Sequence, residues 1–122
     1  MIRVIRLGSP RARGEGLRLG TVRRPPRGVR KADYARRNYY DLWLPELAPS
    51  AALISRAEKN WPSFVRGYRR EMRAPGAQRL LALLAKLSRH VNFSVGCYCE
   101  REERCHRSIL RKLLAEHGAR IA

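Results

Sequence analysis

The stretch VNFSVGCYCEREERCHRSILRKLL, residues 91–114, decides the reading of this chain. Its first part alternates. Val91, Phe93, Val95, Cys97 and Cys99 share one face of an extended segment, and Asn92, Ser94, Gly96, Tyr98 and Glu100 share the other. Its last part switches period. Ile109, Leu110, Leu113 and Leu114 recur at helical spacing, and Gly118 stops the run. A strand over Val91–Cys99 that feeds a helix through a charged turn is one unit of an α/β layer fold.

Working outward, Ile2 to Arg6 alternates apolar and basic residues and predicts a first strand. Leu17 to Arg23 predicts a second, beyond a Gly- and Arg-rich loop over Arg11 to Gly16. Pro25-Pro26-Arg27-Gly28 must be loop, because proline lacks the donor and fixes its own φ. Tyr34 to Leu44 is read as a short helix. Ser50 is an N-cap residue ahead of a helix over Ala51 to Lys59. Asn60 caps the next, with Pro62 in its first turn and Trp61, Phe64, Val65 and Tyr68 along it. Pro75-Gly76 separates that helix from one striped by Leu80, Leu81, Leu84 and Leu87, with Leu83 beside them. The order predicts a small single-domain α/β fold over residues 1–122, with a mostly parallel sheet of at least three strands packed by helices.

Composition narrows the function classes. The chain has 122 residues and is 44% hydrophobic, enough for a core without disulfides. Its longest apolar run, Leu80 to Leu87, is broken by Lys86 and is far short of the roughly 20 residues of a membrane span, so no membrane partner is expected. Three cysteines, an odd number, suit reduced thiols and a cytoplasmic location. The net charge is +17, from 27 Lys and Arg against 10 acidic residues. That field attracts polyanions: phosphorylated small molecules or nucleic acid. Only four of the basic residues are Lys, an Arg excess that compositional drift also produces. Tyr34, Tyr39 and Tyr40, set among the basic residues of the first third, offer bases a stacking platform if nucleic acid is the ligand.

The turn between the last strand and helix concentrates the chemistry. In open α/β sheets ligands bind beyond the carboxyl ends of strands, and helix N-termini attract anions and lower thiol pKa values. Cys99 and Glu100 end the strand there, and Cys105, His106 and Arg107 open the helix. At about 100° per residue His106 falls within the arc of Ile109, Leu110 and Leu113 and points over the strand's end, while Arg107 lies at the arc's edge within reach of a ligand or of Glu100. Three chemistries fit. Cys105 or Cys99 can serve as nucleophile with His106 or Glu100 as base. Cys97, Cys99, Cys105 and His106 are numerically enough to ligate zinc in a structural centre, but Cys-x-Cys on an extended strand is not the usual zinc knuckle, and alternation puts Cys97 in the core, so no metal is assigned. A purely structural cluster is the third.

At these residues the chain resembles domain-of-unknown-function family 488, the YeaO-like uncharacterised proteins. The resemblance rests on Cys99-Glu100 followed by Cys105-His106-Arg107, on Pro26-Arg27-Gly28-Val29, on Trp43 with Leu47-Ala48-Pro49-Ser50, and on Trp61, Phe64, Tyr68 and Glu71. Many relatives carry Asp-Arg-x-Trp before Pro-Arg-Gly, where this chain has Val22-Arg23-Arg24-Pro25. The resemblance implies a fold and site residues but no reaction, cofactor or oligomeric state. It implies that the loop with Arg23, Arg27 and Gly28 meets the Cys99–Arg107 turn, so that Arg27 and Arg107 flank one anion pocket. The leading expectation is a small α/β protein with an anion-binding pocket at the strand ends, open to enzyme action on a phosphorylated or nucleotide-like molecule; a nucleic-acid-binding module is the alternative and a Cys/His metal-binding structural protein the second.

Overall fold

A computed structural model describes residues 1–122. Four strands, β1 (Ile2–Arg6), β2 (Leu17–Gly20), β3 (Leu42–Trp43) and β4 (Phe93–Cys97), form an all-parallel sheet in the order β1-β4-β2-β3. Four helices accompany it: α1 (Ala51–Ile54), α2 (Trp61–Glu71), α3 (Pro75–Leu87) and α4 (His106–Glu116). Parallel pairing aligns Arg6 with Cys97 and Gly20 with Gly96, so the carboxyl ends of β1, β2 and β4 meet at one edge.

The two faces of the sheet are covered differently. Ile2, Leu19, Phe93 and Val95 pack against Phe64, Tyr68, Leu81, Leu84, Ile109, Leu110 and Leu114 of α2, α3 and α4. The Ser94 and Gly96 face of β4 is covered by loops. Arg18, fully buried in β2, holds them there: it donates to Glu15 and to the carbonyls of Ser9, Pro10 and Asn38. With both faces covered and a strand on each side, every residue of β4 is buried.

Local chemistry explains where the elements depart from the expected ones. The short helix expected over Tyr34 to Leu44 does not form; a 3₁₀ turn (Lys31–Asp33), a left-handed Asn38 (φ 65°) and β3 stand there. Tyr34 and Tyr40 pack edge to face at 5.2 Å, a contact that a helix, which turns about 240° between them, would break. The Asn38 carbonyl meanwhile takes Arg18 Nη1 at 2.6 Å. The helix expected to reach Lys59 ends at Ile54, because Leu53 is its one deeply buried side chain and no apolar stripe continues it. Pro75 and Gly76 lie inside the first turn of α3, where a missing N–H costs nothing. β4 ends at Cys97, two residues early. Beyond it the ladder with β1 and β2 is exhausted; Leu7 N–H takes the Cys97 carbonyl at 2.8 Å and the chain bends at Tyr98.

One glycine sets how close the loop before β2 comes to β4. Gly16 has φ +80°, and a Cβ there would lie 1.9 Å from the Asn92 carbonyl oxygen. Gly16→Ala combines left-handed strain with a backbone clash, and should destabilise the chain by about 3 kcal/mol in urea unfolding.

Candidate functional site

The bend at Tyr98 turns Cys99 back toward the strand it has just left. Cys97 Sγ and Cys99 Sγ are 3.6 Å apart. The chain then makes a 3₁₀ turn (Glu102–Arg104) and reaches Cys105, the N-cap residue of α4. Its thiol points inward, and the three sulfurs lie within 4.8 Å of one another. Cys97 and Cys105 are buried; Cys99 is exposed.

His106, the first residue of α4, points over the strand ends as helical spacing predicts. Its Nε2 lies 2.7 Å from the Thr21 carbonyl oxygen, just past β2, and Tyr68 packs edge-on against the ring at 5.4 Å. A carbonyl can only accept, so Nε2 carries the hydrogen; in the neutral ring Nδ1 is then an acceptor, 3.8 Å from Cys105 Sγ.

These groups floor a cleft of about 460 Å³. Val22 and Arg24 come from the exit of β2, Ile54 and Phe64 from the helices opposite, and Tyr98 and Arg104 from either side of the thiols. The sulfurs are unequal electrostatically. Hydrogen bonding from Cys105, then from Cys97, and the charge of Arg107 hold the Cys99 thiol well below the ordinary range. Cys105 is lowered too, chiefly through Cys97 and less through His106. Cys97 is pushed up, because its hydrogen donated to its neighbours and its burial both favour the neutral thiol. Ionisation is therefore favoured at the accessible sulfur over the buried Cys97.

A protein-family model described as the active DUF488-N3 subclade matches residues 2–118. The chain belongs to the DUF488 family. No curated protein and no solved structure matches it.

In this DUF488 chain the site residues read from the sequence divide into two groups. Cys99, Cys105 and His106 come together in the cleft, and Arg23 joins them in its lining. Arg23 is not free, however: its guanidinium donates to the carbonyls of Pro45, Ala48 and Pro49 and ties the exit of β2 to the segment before α1. Arg107 is buried and donates to the Cys99 carbonyl at 2.7 Å, so it braces the bend from behind. Arg27 and Gly28 are exposed on a loop outside the cleft lining, and Arg107 is not part of that lining either. Glu100 is exposed and pairs at 3.6 Å with Arg6, not with Arg107.

Other residues of the resemblance stand behind the cleft and brace the segments that lead into its lining. Trp43 donates to the Val22 carbonyl, Tyr68 to the Leu47 carbonyl, and Glu71 accepts from Ser50 N–H. Of the tyrosines proposed as a stacking platform, Tyr40 is buried, Tyr34 packs on it and Tyr39 packs on Tyr98. Sequence reading missed Arg24, Arg104, Tyr98 and Phe64 as cleft residues and assigned Cys97 to the core, weighing it otherwise only as a zinc ligand. Cys97 is indeed buried, beside Leu7, Val22, Tyr40 and Cys105, but it also faces the cleft. No helix is long and apolar enough to cross a membrane.

Proposed function

We propose that this DUF488 protein is a cytoplasmic enzyme that uses the Cys99 thiolate on a nucleotide-like substrate. The carrying observation is a low-pKa, exposed thiol with a buried thiol and an imidazole beside it, at the carboxyl ends of parallel strands and on the floor of a cleft. The word "active" in the description of the matching subclade agrees with this reading. Three free thiols suit a reducing compartment.

In the proposed reaction Cys99 attacks an electrophilic centre of the substrate. The departing group takes its proton from Cys105, and His106 Nδ1 is positioned to exchange protons with that thiol. Apolar side chains of Val22, Ile54 and Phe64 suit a flat ring system. The anionic end meets Arg24 and Arg104 at the rim instead of the Arg27–Arg107 pair; the Arg104 guanidinium is already held over the Trp61 ring at 5.8 Å.

The test is a screen of nucleoside phosphates by ligand-induced thermal shift, then by turnover and intact mass. Cys99→Ser should abolish turnover and any covalent adduct while leaving the thermal shift. Arg24→Ala with Arg104→Ala should weaken binding at least about tenfold, the loss of one or two charge-assisted hydrogen bonds. Turnover that persists in Cys99→Ser would sink the reading.

A further inference from the structure

We propose that Cys97, Cys99 and Cys105 together form a binding site for a d¹⁰ metal ion of the zinc class, with the fourth coordination position open to the cleft. This inference rests on the sulfur geometry and not on the enzyme reading above.

Tetrahedral zinc holds thiolates at about 2.3 Å, which sets neighbouring sulfurs about 3.8 Å apart. Cys97 and Cys99 already stand at 3.6 Å, and all three sulfurs fall within 4.8 Å. Closing the triangle requires rotamer adjustments of an ångström or less. A Cys-x-Cys pair on an extended strand could not do this, since its side chains would point the same way roughly two pleats apart. The bend at Tyr98 removes that objection by folding Cys99 back over Cys97.

Donor chemistry selects the ion. Three thiolates and no carboxylate favour soft or borderline metals over magnesium or calcium. Two of the three ligands are buried, so water competes poorly, and the buried Arg107 charge beside Cys99 offsets the net negative charge of a tris-thiolate centre. His106 does not complete the set. Its Nε2 is engaged by Thr21, and its Nδ1 is within contact of the Cys105 sulfur only. The unfilled position therefore faces the cleft, as in zinc sites that bind an exchangeable ligand, not the closed centres that are purely structural. Loading displaces the remaining thiol protons into solvent, so affinity falls with falling pH. It also takes up Cys99, so the loaded and nucleophilic states exclude each other.

Titration of the fully reduced full-length chain with Cd²⁺, read by ultraviolet sulfur-to-metal charge transfer, and with Zn²⁺, read by elemental analysis after dialysis, tests this. One ion per chain is expected, with charge-transfer intensity matching three thiolates and with Cys99 protected from alkylation. Cys99→Ser and Cys105→Ser should each weaken binding at least about a hundredfold, more than loss of a mere supporting contact to a ligand. Both variants should fold, the first being exposed and the second placing a favoured residue at an N-cap. Intensity for two thiolates or fewer, or wild-type affinity in Cys105→Ser, overturns the proposal. Alkylation of Cys99 with a flat pH profile in a chain that binds no metal would remove this inference and leave the thiol enzyme standing; metal binding by the wild type, together with turnover intact in Cys99→Ser, would do the reverse.

Discussion

Cys99 of the metal-free chain is expected to react with iodoacetamide at pH 5.5 within about threefold of its rate at pH 8. An ordinary thiol, with pKa near 8.5, would lose about two-hundredfold over that interval as its thiolate fraction collapses. The difference comes from what surrounds the sulfur. Cys105 and Cys97 donate to it and Arg107 places a positive charge beside it, and together these outweigh the burial that would raise the pKa. A thiolate lowered in this way should persist throughout the range and give a nearly flat rate profile. Absolute reactivity will be moderate, because nucleophilicity falls as pKa falls. Peptide mapping separates Cys99 from the two buried thiols. Cys105→Ala removes the largest stabilising contact and should move the midpoint of the profile up toward neutral pH. A wild-type rate that falls steeply below pH 8 would show that the three sulfurs do not share their protons as described.

The parts of this site that were legible in the sequence are those governed by local pattern. Alternation through Val95 and period through Ile109 to Leu114 locate β4 and α4, and helical spacing alone aims His106 over the strand ends, where Thr21 receives it. The parts that were not legible depend on distant chain. Where β4 ends is set by where β1 and β2 stop pairing with it, and only that makes the bend which gathers the sulfurs. An arginine's charge shows in a sequence, but its partner does not. Arg23 is satisfied by three carbonyls some twenty residues on, Arg107 donates one Nη to the carbonyl of Cys99 and leaves its buried Nε unpartnered, and Arg27 lies outside the cleft. The two arginines that do rim the cleft, Arg24 and Arg104, sit in runs of charge with nothing local to distinguish them. Arg18 is the extreme case: one of 27 basic residues by composition, and wholly buried in the fold.

That buried arginine carries the largest expected effect on stability. Glu15→Ala should destabilise the chain by about 3–5 kcal/mol, the cost of leaving a buried charge without its partner. Arg18 Nε donates to Glu15 Oε2 at 2.6 Å and Nη2 to Oε1 at 3.2 Å, with both side chains buried. Burial alone would raise the Glu15 pKa. The hydrogen bonds from Arg18 and from Ala12 N–H overcome it and bring the carboxyl down from 4.5 to about 2. A carboxyl with a lowered pKa in the folded state stabilises that state above its unfolded value, and the contribution disappears as pH drops through the folded one. Urea unfolding of the wild type should therefore lose about 3 kcal/mol between pH 4.5 and 2 from this group, and Glu15→Ala should lack that component of the acid slope. Equal slopes in the two proteins would mean that the pair is not formed. The effect should reach the cleft as well. Arg18 holds the loops against the second face of the sheet from within β2, and β2 leads directly to Thr21, whose carbonyl fixes His106. Loosening that strap leaves Nε2 without a constant acceptor, so Nδ1 loses its fixed role toward Cys105, and the pH profile of thiol alkylation in Glu15→Ala should broaden before the chain unfolds.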